Sequence, residues 1–206
     1  MSEISGDNAV REVSVVLFDG FELLDVFGPV ELLSVLPDQF RITMVAAEAS
    51  LVASSQGTRV EATGALDASS PDIILVPGGI GSRALVDDNS YLERLRNHAA
   101  GADLVTSVCT GSAVLAAAGL LDGYRATSNK RSFDWVAQQG NSVTWERRAR
   151  WVQDRDRWTS SGVAAGIDMT AALIADLFDA DLAHHAAEVI EYEPQTDADN
   201  DPFADR

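Results

Sequence analysis

One stretch constrains this chain more than any other: Leu104 to Gly119, LVTSVCTGSAVLAAAG. Leu104, Val105 and Val108 form an apolar, β-branched run of the kind a buried strand needs. Gly111 and Ser112 lead into Ala113, Val114, Leu115 and Ala116 to Ala118, a helix packed close to a neighbour and ended by Gly119 as a C-cap signal. Between strand and helix sits Cys109, the only cysteine in 206 residues. A cysteine at a sharp strand-to-helix turn occupies the setting of a nucleophile elbow. There the partial positive charge and free N–H groups of the helix N-terminus favour a thiolate. A buried structural cysteine fits the same local sequence; Thr110 and the flanking glycines turn the balance toward chemistry.

The segments around this stretch supply candidates for its partners. Val13 to Phe18 reads as a first buried strand, closed by the turn signal Asp19-Gly20. FELLDVFGPVELLSVL has helical spacing, and Pro29 breaks, kinks or restarts the helix. Asp25 interrupts its apolar face, so it either meets solvent or is placed in a site. Arg41 to Ala47 is a second strand, and Leu51 to Thr63 a hairpin turning at Gly57. Pro71 to Val76 is a third core strand that ends in Pro77-Gly78-Gly79 and continues through Ile80, Gly81 and Ser82. Such a turn can aim main-chain N–H groups at an oxyanion, although Pro-Gly is also plain turn punctuation.

Tyr91 to Ala100 reads as a surface helix with a solvated His98. Arg125 to Ser128 leads as a short strand to Asn129, and Phe133 to Gln138 as a short helix with Trp135 inward. Thr144 to Ser160 alternates in the strand manner around Asp154-Arg155-Asp156. Gly162 to Phe178 is nearly all apolar and must be a buried helix. Asp168 inside it is read as a cap, an arginine partner or an outer member of the site. Ala180 to Tyr192 is a last helix; its His184 and His185 face different ways and do not form a shared metal site. From Glu193 the acidic tail is read as disordered, or laid over a neighbour through Phe203.

The order of elements implies an α/β fold: one three-layer domain with a mainly parallel sheet, its core at about 13–192 and a tail at 193–206. Ligands in such sheets bind outside the carboxyl ends of the strands. An acid (Asp25), glycine amides (Gly78, Gly79) and a thiol (Cys109) should therefore converge. The sequence carries no P-loop, no GxGxxG and no metal-ligand spacing. With 32 acidic against 15 basic residues the formal net charge is -17, which repels nucleic-acid phosphates and anionic membranes. The sole lysine is Lys130, and an Asp-rich, Lys-poor surface also suits a high-salt cytoplasm. A single cysteine, a polar N-terminus without a signal-peptide pattern and the lack of a membrane-length apolar run point to the cytoplasm.

LLDVFGPVELL, DIILVPGG, SVCTGSAVLAAAGLLDGYRATSN and SSGVAAGIDM, in this order, resemble the ThiJ/PfpI superfamily, whose fold is flavodoxin-like and similar to a class I glutamine amidotransferase domain. The LLDVFGP and CTGS segments look like its isonitrile hydratase branch. That branch also includes sensor domains of AraC-type regulators, whose helix-turn-helix has no room after this sequence. The resemblance implies a Cys109 nucleophile, Asp25 as its acidic partner, Thr110 and the Gly78–Ile80 turn around the attacked atom, no cofactor or metal, a small-molecule substrate and a two-fold homodimer. Many relatives have a histidine where this chain has Asn129, so a Cys-His pair is not available there. Three activities compete: hydration of an isonitrile to a formamide, glyoxalase or deglycase chemistry on reactive aldehydes, and redox sensing by the thiol. For the first, a thiolate beside a protonated Asp25 is expected, because desolvation raises a carboxyl pKa.

Overall fold

The computed structural model describes residues 9–66 and 70–205; the first eight residues of the polar N-terminus lie outside them. The chain runs β1 (Arg11–Val16), α1 (Leu23–Ser34), β2 (Phe40–Ala46), β3 (Ser50–Ala53), β4 (Arg59–Ala62), β5 (Gly64–Ala65), β6 (Ile73–Val76), α2 (Ser82–Leu85), α3 (Asn89–Ala99), β7 (Leu104–Ser107), α4 (Gly111–Ala117), β8 (Arg125–Ala126), α5 (Phe133–Val136), β9 (Thr144–Trp145), β10 (Trp151–Asp154), β11 (Arg157–Ser160), α6 (Ala165–Leu177) and α7 (Ala180–Val189). Seven strands make one sheet in the order β10-β11-β7-β6-β1-β2-β5, parallel except for the β10–β11 hairpin. The three runs read as central strands, β7, β6 and β1, are neighbours, so their carboxyl ends lie side by side.

Strand periodicity explains the layers. Val13, Val15, Ile73 and Leu75 point into one core, which α1, α6 and α7 close with Val26, Leu33, Ile174 and Ala186. The alternate residues Val16, Ile74 and Val76 point to the other side, under Leu92 and Leu95 of α3 and Val114 and Leu115 of α4. Each fully buried Leu or Ile contributes about 2 kcal/mol, so both faces are needed to hold strands this apolar. Gly57 turns the β3–β4 hairpin as the sequence implies, at φ 83°. Among the described residues no helix is long and apolar enough to cross a membrane.

Several expectations change. The helix around Pro29 runs unbroken as α1, with Pro29 inside it. Phe21, just before α1, is fully buried in the core, while Phe27 on α1 is on the surface. His98 is 2% exposed, not solvated: Tyr91, Leu92, Leu95, His98 and Ala99 recur at helical spacing on the buried face of α3. Trp135 is only half-buried, while Phe133 and Val136 of α5 turn inward. The tail lies on its own body: Arg150 N–H donates to Ala198 O at 2.7 Å, Asp201 N–H to Arg148 O at 2.8 Å, and Arg148 pairs with Asp205 at 3.0 Å.

Candidate active site

Cys109 follows β7 by two residues and has φ 58°, the left-handed backbone an elbow demands. The strain is held by a dense set of hydrogen bonds. Cys109 N–H donates to Ser161 O at 3.1 Å, while its own carbonyl accepts from the hydroxyls of Ser128 at 2.8 Å and Ser112 at 3.1 Å. A side chain at Gly111 would place Cβ 2.1 Å from Val76 O, so α4 starts against β6 only because this residue is glycine. Holding a strained residue of this kind costs about 1–3 kcal/mol, which the anchored turn absorbs.

Asp25 comes from the first turn of α1 and is fully buried. Gly78 N–H donates to its Oδ2 at 2.8 Å, and Pro29, lacking an N–H, cannot bond the Asp25 carbonyl. Oδ1 carries no hydrogen bond of ordinary geometry, and the carboxyl faces the Cys109 thiol. Gly79 has φ 127°, and a Cβ there would lie 2.2 Å from Gly20 O, so the turn after β6 can approach the segment that leads into α1 only with glycine. Its N–H donates to Thr110 Oγ1 at 3.0 Å. The two glycine amides expected around an oxyanion are thus both engaged within the resting site, one holding Asp25 and the other Thr110. The N–H groups that reach the sulfur are those of Thr110 and Val163.

Burial dominates the electrostatics. It pushes the Asp25 carboxyl up to about 7, helped by the nearby Glu22 charge and opposed by the Gly78 N–H. Burial, then the Asp25 charge, also pushes the Cys109 thiol well above its ordinary value, against the Thr110 and Val163 N–H groups. The direction at the sulfur is opposite to the thiolate expected there: burial and the Asp25 charge favour the neutral thiol.

Cys109 and Thr110 open onto a cavity of about 470 Å³ that Gly79, Ile80 and Asn129 also line. Asn129 Oδ1 accepts from Ser132 N–H at 3.2 Å. A second cavity of about 590 Å³ shares Asn129, Arg131 and Val163 with the first and is bounded by Phe203 of the tail. Asp168 stays outside this site. Its Oδ2 accepts from Arg150 Nε at 2.7 Å and its Oδ1 from Gln195 N–H at 2.8 Å and the Tyr192 hydroxyl, so it anchors the tail. Among the described residues no group of three or more His, Cys, Asp or Glu is placed to hold a metal ion. Val163, Ser128, Arg83 and Phe203 were not picked out from the sequence as site residues. Val163 and Ser128 left a trace, lying in the SSGVAAGIDM and SVCTGSAVLAAAGLLDGYRATSN segments, and Phe203 was noted only as a contact of the tail.

Comparison with known proteins follows the same geometry. Residues 11–176 match the model of the DJ-1/PfpI family. The chain is 37% identical over 184 residues to an isonitrile hydratase of Pseudomonas putida, across 89% of this chain and 79% of that protein. It is 28% identical over 189 residues to the HTH-type transcriptional regulator GbdR of Pseudomonas aeruginosa, of which it spans 51%. A THiJ/PfpI family protein from Pseudomonas syringae, 31% identical, superposes with a TM-score of 0.83 over 95% of this chain and 83% of that one.

Proposed function

The chain belongs to the DJ-1/PfpI family, and from that premise we propose that it is a cysteine-dependent hydratase, adding water to an isonitrile to give an N-substituted formamide. The observation that carries this reading is the Asp25–Cys109 pair: a buried carboxyl tuned to about 7, facing a thiol on a strained elbow that lines a cavity. The similarity to an isonitrile hydratase supports the same reaction.

Isonitrile hydration needs one nucleophile and one group that carries a proton. The Asp25 carboxylate takes the thiol proton as Sγ bonds to the terminal carbon. The proton then passes to that carbon, giving a thioimidate, R–N=CH–S–Cys109. Water adds across the C=N bond, and collapse of the adduct breaks the C–S bond, returns the proton to sulfur and releases R–NH–CHO. One water is consumed and the enzyme is unchanged. Thr110 and Val163 N–H groups, pointed at the sulfur, stabilise the charge that forms on it during attack and departure.

The redox-sensor reading is weakened by a thiol 7% exposed and held protonated, since oxidation follows thiolate character and access. Purified protein offered cyclohexyl isocyanide and methylglyoxal in parallel tests the reaction. Formation of N-cyclohexylformamide supports hydration. Consumption of methylglyoxal without formamide formation replaces it with aldehyde chemistry.

A further inference from the structure

The reacting cavity is walled unevenly. Arg83, from α2, and Arg131, just after Asn129, both line it, on a protein of net charge -17. Among the described residues nine other arginines form ion pairs, Arg11, Arg41, Arg94, Arg125, Arg147, Arg148, Arg150, Arg155 and Arg157, while Arg59 and Arg96, like the two on the cavity wall, form none but lie away from it. Arg83 and Arg131 pair with no carboxylate among the described residues, in a chain with 32 acidic residues to choose from. The Arg83 guanidinium is not adrift: its Cζ sits 4.3 Å from the centre of the Trp135 ring, a stack that fixes the fork while leaving its N–H groups free. The one carboxylate on the cavity wall, Glu22, is hydrogen-bonded by Gln56.

We propose that Arg83 and Arg131 form an anion-recognition face in the Cys109 cavity, so that the substrate carries a carboxylate or similar anionic group beside its electrophilic carbon. This rests on the cavity being the site of reaction, and it narrows the substrate class beyond a neutral isonitrile. An arginine fork matches a carboxylate in two parallel hydrogen bonds. A local pair of cations also offsets the acidic surface that otherwise repels an anion. Ser132 and the Asn129 side chain on the same wall offer further polar contacts to such a group.

The test compares alkylation of Cys109 by iodoacetate, an anion, with iodoacetamide, its neutral counterpart of similar size, followed by intact mass. Arg83→Gln with Arg131→Gln should lower the iodoacetate-to-iodoacetamide rate ratio at least about threefold, as weak exposed ion pairs allow, with the iodoacetamide rate held. Arg11→Gln with Arg41→Gln, the same change of two in net charge at strand starts that do not line the cavity, should leave the ratio unaltered. An unchanged ratio in Arg83→Gln with Arg131→Gln, or an equal fall in Arg11→Gln with Arg41→Gln, overturns the proposal. As a second readout, kcat/KM for isocyanoacetate over its ethyl ester should fall in Arg83→Gln with Arg131→Gln by a similar factor. Alkylation selectivity without any isonitrile turnover would sink the hydratase reading alone. Turnover with no charge selectivity would sink the anion face alone.

Discussion

Asp25 and Gly78 are joined by a hydrogen bond of 2.8 Å from the glycine N–H to Oδ2, which ties the turn after β6 to the first turn of α1. The bond fixes one carboxyl oxygen and leaves the other toward the Cys109 thiol. It also explains why a glycine is needed at that turn for more than its backbone: a Cβ on Gly78 would lie 2.9 Å from Asp25 Oδ2 and 2.5 Å from Thr110 N.

Turnover should therefore depend on the ionisation of Asp25. The carboxylate is the base, so kcat/KM should rise with pH through an apparent pKa of about 7 and level off above it. Asp25→Asn keeps an acceptor for Gly78 but cannot carry the proton. Its rate should fall about 100-fold or more, and the acid limb should vanish. A pH–rate profile from pH 5 to 9 on both proteins measures this.

The same shift has a stability consequence of opposite sense. Folded Asp25 holds its proton up to about 7, whereas the unfolded group releases it near 3.8. Between these values the folded state binds more protons than the unfolded one, so this group's contribution to stability falls as pH rises and is lost above about 7. Asp25→Asn should therefore be more stable than wild type at pH 8, by roughly 1–4 kcal/mol, and nearly equal to it near pH 4. Denaturant melts at the two pH values compare them.

Asp168 should prove to be an anchor. With Arg150 7% exposed at its side chain and Asp168 fully buried, removing Asp168 leaves the buried guanidinium only the longer pair with Asp201 at 3.6 Å. Asp168→Ala should cost about 2–4 kcal/mol and release the segment from Glu193 onward to protease, while Cys109→Ala leaves that segment protected. Limited proteolysis with mass analysis distinguishes the two variants.

The homodimer expected from the resemblance has a defined surface to test. Leu24 and Phe27 of α1 are 42% and 39% exposed, the two large apolar side chains it leaves in solvent. Light scattering should give a dimer for wild type and a monomer for Leu24→Asp with Phe27→Asp, in line with closed two-fold pairing.

The sheet and the elbow were legible because both depend on local pattern. Apolar, β-branched runs marked β1, β6 and β7, and a small-residue run after a lone cysteine marked the elbow at Cys109, which has φ 58°. Asp25 was visible as one acid on an apolar helix face. What could not be read was brought in from afar. Val163 reaches the sulfur from the loop before α6, and Phe203 bounds the second cavity because Arg148 and Arg150 hold an acidic tail that looks like solvent-facing chain. The protonation of the pair also escaped the sequence. It turns on how completely folding desolvates the sulfur, and the helix start alone suggests the opposite. His98 was missed although its spacing with Leu95 and Tyr91 carried the signal; a polar residue type outweighed its position.

The most direct measurement is intact mass of the protein quenched during turnover of cyclohexyl isocyanide, alongside formamide yield, for wild type and Cys109→Ala. Wild type should make N-cyclohexylformamide and carry one isonitrile equivalent on Cys109. Cys109→Ala should carry none and lose at least about 1000-fold in rate, as loss of a covalent nucleophile does. Formamide formation by Cys109→Ala within tenfold of wild type would contradict the account.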